Sequence, residues 1–213
     1  MNTGPQAEYH SSLRTSRIEA LSDEVFAIAM TLLVLHIEVP DLHGTGTEIL
    51  HSLLGLWPKF LSYIVGFVTL GVYWMGQHVQ FHFIKRANQP FLWLTILFLM
   101  LIAAIPFSVR LIGQYFHLKL VVVLYGCHLV AIGLAHYSIW RYATAQRRLV
   151  DAELSWRVIQ TQSRLAFIPV GVYLAAIVVT ALNTVASIII YAVVPSIYIV
   201  MPHLFAKYHR QRT

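Results

Sequence analysis

An apolar stretch near the start of the chain carries a few polar side chains at a spacing that suits a cation. When residues 17–40 are read as a helix at about 100° per residue, Ile28, Thr31 and Leu35 fall on one narrow face. Glu24 extends this face toward the start of the stretch. A threonine hydroxyl between two aliphatic side chains contacts a partly dehydrated cation only where copies of the helix surround an axis. Ordinary helix packing produces the same spacing, so both interpretations stand.

Two further polar residues, Ser22 and Asp23, point away from this face. A carboxylate at membrane depth is costly unless it is paired or hydrated, so Asp23 needs a partner. The candidate partners on this helix and on neighbouring helices are Arg17, Trp74, His78 and Asn88. The alternative is that Ser22 or Asp23 caps an exposed helix start. We expect a structural role for this motif.

The composition indicates an integral membrane protein. The chain has 213 residues, of which 58% are hydrophobic and 11% are charged, whereas soluble domains carry about 25% charged residues. The single cysteine, Cys127, excludes an intrachain disulfide. The net charge of +6 is explained by basic loops and not by one basic face, so no nucleic-acid partner is expected. The expected surroundings are a lipid bilayer.

Six apolar stretches are expected to cross the membrane as helices. They are residues 17–40, 60–78, 91–112, 120–140, 165–182 and 185–205. Pro106 is expected to kink the third stretch, and Pro169 and Pro195 lie inside the fifth and sixth. A short helix capped by Thr47 and reaching Leu56 is expected before the second stretch. The expected fold class is an all-α membrane protein with one repeat unit.

The flanking segments and the basic residues indicate the topology. Residues 1–16 are polar and lack the features of a signal peptide, so we expect a mobile cytoplasmic tail. Residues 17–206 form the expected membrane domain, and residues 207–213 form a basic cytoplasmic tail. Of the 15 Lys and Arg residues, those expected on the far side are only Lys59, Arg110 and Lys119. The positive-inside rule therefore places both termini in the cytoplasm.

The first stretch contains, in order, Arg17, Ser22, Asp23 and the apolar run of residues 25–35. This order resembles the first-helix signature of the transmembrane protein 175 family, which comprises lysosomal potassium channels and their prokaryotic relatives. The family pattern is an arginine, three residues and then Phe-Ser-Asp. Leu21 stands where the family usually has phenylalanine, and Glu24 stands where a small residue is common.

The resemblance implies a prokaryotic family member that conducts cations and selects or prefers potassium. Animal members carry two six-helix units and dimerise, so a chain with one unit implies a homotetramer. Its fold would be a non-canonical potassium channel fold in which the first helices line a central pore. The resemblance places Ile28, Thr31 and Leu35 in that pore, where two apolar rings would flank a ring of threonine hydroxyls. Potassium is then the permeant ion, and no cofactor is implied.

The remaining motif residues are expected at the pore mouth and in the assembly. In a tetramer, Glu24 would form a ring of carboxylates at the cytoplasmic mouth. The alternatives are that Glu24 pairs with Arg17 or favours the helix N-terminus. In the resembling family, the motif that contains Ser22 and Asp23 ties the first helix to its neighbours. The implied location is a bacterial cell membrane.

Two other classes of function remain open at this point. His78 and His82 share one helical face, and His128 and His136 share another, so a membrane metal or haem redox subunit is one alternative. No cysteine partner or carboxylate motif accompanies these histidines. A secondary transporter or a proton pathway is the other alternative, but it would need inverted repeats and a charged midplane site. We find neither in the sequence, and no set of residues suggests a metal site or a catalytic residue of an enzyme.

Overall fold

The described part of the chain is α-helical. The computed structural model describes residues 15–38 and 45–210. Its helices are α1 (Thr15–Leu32), α2 (Gly46–Leu54), α3 (Trp57–Phe83), α4 (Gln89–Ala103), α5 (Ile105–Tyr115), α6 (Lys119–Thr144), α7 (Trp156–Val179) and α8 (Thr184–Arg210). These residues contain no β-strand, and one isolated backbone bridge joins Ile84 to Val150. The predicted all-α class is confirmed.

Helices reach into both of the terminal segments that were expected to be tails. α1 begins at Thr15, inside the segment expected to be a tail, and residues 1–14 lie outside the described part. α8 continues to Arg210, through most of the expected basic tail, and residues 211–213 lie outside the described part.

The loop after α1 differs from the expectation in one position. Residues 39–44 lie outside the described part. α2 begins at Gly46 and ends at Leu54, so Thr47 lies inside the first helical turn. The prediction that Thr47 caps this helix is therefore wrong, because a capping residue precedes the first helical residue.

Four helical stretches are long and apolar enough to cross a membrane by length and composition. They are Ile49–Phe83, Gln89–Tyr115, Lys119–Arg147 and Trp156–Val179. A shorter apolar helix is described at Thr184–Tyr198. α1 has 18 residues but contains four charged side chains, Arg17, Glu19, Asp23 and Glu24. A count of six spans therefore stays a prediction that depends on how α1 and α8 are placed in the membrane.

The third apolar stretch is divided into two helices, as predicted from Pro106. The break falls at Ala104, because Pro106 has no backbone N–H and its ring crowds the preceding turn. The break is bridged from α6: His128 Nε2 lies 3.0 Å from the Leu101 carbonyl oxygen, and its Nδ1 lies 2.5 Å from Ser108 Oγ. Backbone groups freed in a membrane helix need such partners.

A second proline, Pro169, affects the contact between α7 and α8. α7 continues through Pro169, which cannot donate to the carbonyl of Leu165 four residues earlier. The hydroxyl of Tyr198 on α8 donates to that carbonyl at 2.7 Å. The proline therefore leaves the Leu165 carbonyl free to accept this hydrogen bond, and the bond joins the two helices.

α1 packs against the bundle with only one side. Ile18, Ser22, Phe26 and Ala29 are buried, at the spacing of one helical face, against α3 and α4. The ring of Phe26 lies 6.1 Å from that of Phe98 on α4. This packing fixes which side of α1 faces its own subunit and which side does not.

We expect the bridge across the helix break to contribute to stability. Replacing His128 with Phe removes both hydrogen bonds to the break and should lower the free energy of unfolding by about 1–2 kcal/mol. Thermal unfolding of the purified protein in detergent would measure this as a Tm decrease of about 2–8 °C.

The matched control is Ser138→Ala on the same helix. Ser138 Oγ bonds only to the carbonyl of Leu134 in its own helix, so its loss should change the Tm much less. Equal shifts for the two variants would mean that the contact with the break adds nothing.

Candidate functional site

The stripe predicted on α1 lies on the side of the helix that packs against no other described part of the chain. Ile28 is 58% exposed and Leu35 is 68% exposed, and Glu24 and Thr31 are exposed too. The buried face of α1 lies roughly opposite. A bare apolar and hydroxyl-bearing stripe next to a well-packed face is what a helix shows when its second partner is lipid, another chain or a pore.

The hydroxyl of Thr31 has a defined orientation. Thr31 Oγ1 donates its hydrogen to the carbonyl oxygen of Ile28 at 2.8 Å. A hydroxyl that donates in this way keeps its oxygen lone pairs free to accept a hydrogen bond or to contact a cation. The chemistry available at this position is therefore that of an oxygen ligand.

The C-terminal end of the stripe forms a 3₁₀ turn, which was not expected from the sequence. The α-helix stops at Leu32, and Leu33–His36 form a 3₁₀ turn in which His36 Nδ1 lies 3.0 Å from the Leu33 carbonyl oxygen. Leu35 therefore does not continue the α-helical register, since a 3₁₀ turn rises about 2.0 Å per residue.

Two carboxylates, one in the middle of α1 and one beyond its C-terminal end, differ in their partners. Glu24 is exposed and makes no hydrogen bond or ion pair within the described residues, and the same is true of Arg17. The alternative pair between these two side chains is thus not formed in the structure. Glu38, beyond the 3₁₀ turn, accepts a hydrogen bond from Arg110 on α5 at 2.9 Å.

Ser22 lies at the centre of the contact between α1 and α3. Its buried hydroxyl donates to the Ile18 carbonyl at 2.7 Å and accepts from the side-chain amide of Gln77 at 3.1 Å. Gln77 was not among the residues singled out from the sequence. Its spacing from Thr69 and Tyr73, four residues apart along one face of α3, is the signal that could have identified it.

Asp23 is paired with one of its four candidate partners. The indole nitrogen of Trp74 donates to Asp23 Oδ1 at 2.8 Å. The ring of Trp74 stacks on that of His78 at 5.9 Å, and His78 Nδ1 lies 4.0 Å from a carboxylate oxygen of Glu19. His78 therefore supports the Trp74 ring and does not contact Asp23 directly.

Asn88 contacts α4 and α6 and does not contact Asp23. Its side-chain oxygen accepts from the backbone N–H of Phe91 at 3.2 Å and caps α4. Its side-chain nitrogen donates to the hydroxyl of Tyr142 on α6 at 3.0 Å. The structure thus brings Asp23, Trp74 and His78 together, and it places Arg17 and Asn88 apart from them.

The histidines noted in the sequence are dispersed in the structure. His128 bridges the helix break, and His136 lies next to Gln80 on α3, with Nε2 3.0 Å from the Gln80 side-chain nitrogen. Over the described ranges, no three His, Cys, Asp or Glu side chains gather where they could hold a metal ion. The residues present therefore offer no ready site for a metal.

The geometry defines a class: an integral, multi-pass membrane protein whose first helix is docked on one face and bare on the other. Residues 17–106 match the family described as Endosomal/lysosomal potassium channel TMEM175. The chain belongs to this TMEM175 family. The resemblance of its first helix to that family is confirmed.

Relatives are found in bacteria and in animals. A potassium channel of Streptomyces collinus is 34% identical over 141 residues, which are 64% of this chain and 68% of the relative. A crystal structure of a lysosomal potassium-selective channel TMEM175 homologue from Chamaesiphon minutus has a TM-score of 0.76 and 28% identity, and the match covers 88% of this chain and 97% of that chain. The endosomal/lysosomal proton channel TMEM175 of Bos taurus is 36% identical over 47% of this chain and 22% of that protein.

We expect the Asp23–Trp74 hydrogen bond to stabilise the docked position of α1. In a double-mutant cycle of Asp23→Ala and Trp74→Phe, the coupling in the free energy of unfolding should be about 1–2 kcal/mol, since the bond involves a charged acceptor. Thermal or denaturant unfolding in detergent micelles gives this value.

A matched control is available on α4. Trp93 is exposed and makes no hydrogen bond to the described residues, so Trp93→Phe combined with Asp23→Ala should give additive effects. A coupling of zero for the Trp74 cycle would contradict a stabilising role of the pair.

Proposed function

We propose that four copies of this chain assemble into a cation channel that prefers potassium, with a pore lined by α1. The observation that carries this proposal is the bare stripe of Glu24, Ile28, Thr31 and Leu35 opposite the buried face of α1. The names of the Streptomyces and Chamaesiphon relatives support potassium as the permeant ion. A chain with one unit needs further copies to close a ring, and four copies with cyclic symmetry would do so.

In such a ring, the three central positions would act in sequence on a passing ion. Four Ile28 side chains would form a dry constriction at which a cation loses part of its hydration shell. Four Thr31 oxygens, about one helical turn further along, would replace some of that water. Four Leu35 side chains would form a second apolar ring. Because potassium is dehydrated at a lower cost than sodium, this order favours potassium.

The proposal includes a topology with six spans. α1 and α8 would cross the membrane together with the four long apolar stretches, and both termini would lie in the cytoplasm of a bacterial cell. Glu24 would then stand at the inner mouth, and the ion pair of Glu38 with Arg110 would stand at the outer end. Asp23 and Trp74 would hold α1 in the position that the ring requires.

A second candidate is proton conduction, because the bovine relative is named a proton channel. Current measured across a pH gradient, with symmetrical potassium, would separate the two: a reversal potential that follows the proton gradient would establish proton permeation. Steady single-channel currents would exclude a secondary transporter, since a transporter moves few ions per conformational cycle.

Replacing Thr31 with Val tests the oxygen ring. The substitution keeps the shape of the side chain and removes the oxygen, so we expect the potassium-to-sodium permeability ratio to fall about fivefold or more, which corresponds to about 1 kcal/mol of lost cation–oxygen interaction. Reversal potentials of the reconstituted protein in mixed potassium and sodium measure the ratio.

The control substitution is Thr95→Val on α4. Thr95 is buried and its hydroxyl donates to the Phe91 carbonyl inside its own subunit, so the ratio should not change. An unchanged ratio for Thr31→Val would remove Thr31 from the selectivity mechanism while leaving a conducting channel intact.

Replacing Glu24 with Gln tests the inner mouth. A ring of unpaired carboxylates concentrates cations, so the variant should carry less outward current at low ionic strength with nearly the same selectivity. The difference should shrink as salt rises, because the screening length falls to about 8 Å at physiological strength. Glu19→Gln, on the same helix but beside His78, is the control. Equal conductance of wild type and Glu24→Gln at low salt would place Glu24 away from the mouth.

A further inference from the structure

Two arginines lie on the outward face of α6 and α7, near the end of the bundle at which residues 145–155 connect these helices. Arg141 lies in the last turn of α6, and Arg164 lies in the first half of α7. Both side chains are exposed. α7 packs against α6 and α8, whereas α1 packs against α3, α4 and α5. The two arginines therefore lie on a different side of the subunit from the stripe proposed to line the pore.

The two arginines lie at the same level of the antiparallel pair of α6 and α7. The ring of Tyr137 on α6 lies 5.1 Å from the ring of Phe167 on α7. Arg141 follows Tyr137 by about one helical turn. Arg164 precedes Phe167 by about one turn, so both arginines lie about 5 Å beyond the ring contact in the same direction. The helices that carry them pack with their axes about 8–10 Å apart.

The outward face of α7 changes from polar to apolar just beyond Arg164. The exposed positions that precede it on this face include Arg157, Gln160 and Thr161. The exposed positions that follow it include Phe167, Ile168, Leu174 and Val178. Trp156, which is 62% exposed, begins the helix, as is typical of a membrane interface. Arg164 therefore marks the level at which lipid headgroups meet the acyl chains.

Neither arginine is neutralised by the described part of the chain. No hydrogen bond or ion pair joins Arg141 or Arg164 to a described residue. The carboxylates of the connecting loop, Asp151 and Glu153, line a cavity next to the end of α3 and do not pair with these arginines. Two like charges at one level of a membrane repel each other, and an anion that lies near both of them removes this repulsion.

We propose that the outward face of α6 and α7 binds an anionic phospholipid, with the lipid phosphate between Arg141 and Arg164. Planar guanidinium groups donate paired hydrogen bonds to phosphate oxygens. The acyl chains would lie on Phe167 and Ile168, which are 50% and 55% exposed. In the proposed topology this lipid belongs to the cytoplasmic leaflet, where anionic headgroups attract basic residues. The binding itself requires neither conduction nor a pore.

Native mass spectrometry of the full-length protein in a neutral detergent tests the proposal. Equal amounts of phosphatidylglycerol and phosphatidylcholine with the same acyl chains are added, and the lipid retained by the protein is identified. The wild type should retain one phosphatidylglycerol per chain in preference to phosphatidylcholine. Arg141→Gln combined with Arg164→Gln should lower this preference about fivefold per arginine, or about 1 kcal/mol each. Because both side chains are exposed, the Tm should change little.

Lys85→Gln combined with Arg148→Gln is the matched control, because it removes the same charge from the same end of the bundle. Lys85 Nζ donates to the carbonyl of His82 at 2.7 Å. The Arg148 guanidinium lies 5.1 Å from the centre of the Tyr142 ring, and the hydroxyl of Tyr142 is bonded to Asn88 before α4. Neither cation lies on the face of α7, so this variant should keep the preference for phosphatidylglycerol.

The outcomes that contradict the proposal are distinct. Equal losses of preference in the two double variants would mean that the charge of the whole surface attracts the lipid, and equal retention of both lipids by the wild type would mean that no anionic site exists. Glycerol 3-phosphate carries the anion without acyl chains and should not displace the lipid at equal concentration. Displacement would indicate a site for free anions and overturn the proposal. None of these measurements depends on ion conduction.

Discussion

The structure depends on the docking of one face of α1 against α3 and α4. Polar groups in a membrane interior must find partners within the protein, and α1 meets this requirement on one side only. Ser22 is bonded to Gln77 and Asp23 to Trp74. These contacts fix the rotation of the helix, and the rotation determines that Glu24, Ile28 and Thr31 remain bare. The need to pair the polar groups of α1 therefore determines both how the helix packs and which residues remain on its free face.

The rest of the bundle shows how prolines create specific contacts. The break at Ala104 exposes backbone groups that His128 and Ser108 satisfy, and Pro169 leaves a carbonyl that Tyr198 satisfies. In water such groups would bond to solvent, whereas in lipid each becomes a fixed attachment between helices. The prolines of α5 and α7 thus help to determine which helices are neighbours.

The sequence predicted the helical class and the break at Pro106 because both depend on local rules, namely apolar length and the missing proline N–H. It also gave the rotation of α1, since a 3.6-residue period separates Ile28 and Thr31 from Ser22. It could not select Trp74 among four candidate partners of Asp23, because that choice depends on the register between α1 and α3. It missed Gln77, since an uncharged polar residue in an apolar helix adds nothing to a charge pattern. The 3₁₀ turn at Leu33–His36 was missed because residues 25–38 contain no proline or glycine that would mark the end of an α-helix.

Two carboxylates, one in the middle of α1 and one beyond its end, have a consequence for the direction of current flow through the proposed pore. Glu24 has no counter-ion within the described residues, whereas Glu38 is paired with Arg110. Around that pore, Glu24 would add unpaired negative charge on one side of Ile28, and the paired Glu38 would add almost none on the other. Cations would thus be more abundant at the entrance beside Glu24, and current from that side would be larger at equal and opposite voltages. Because Glu38 is paired and Glu24 is not, the proposed pore would pass more current in one direction than in the other; it would rectify.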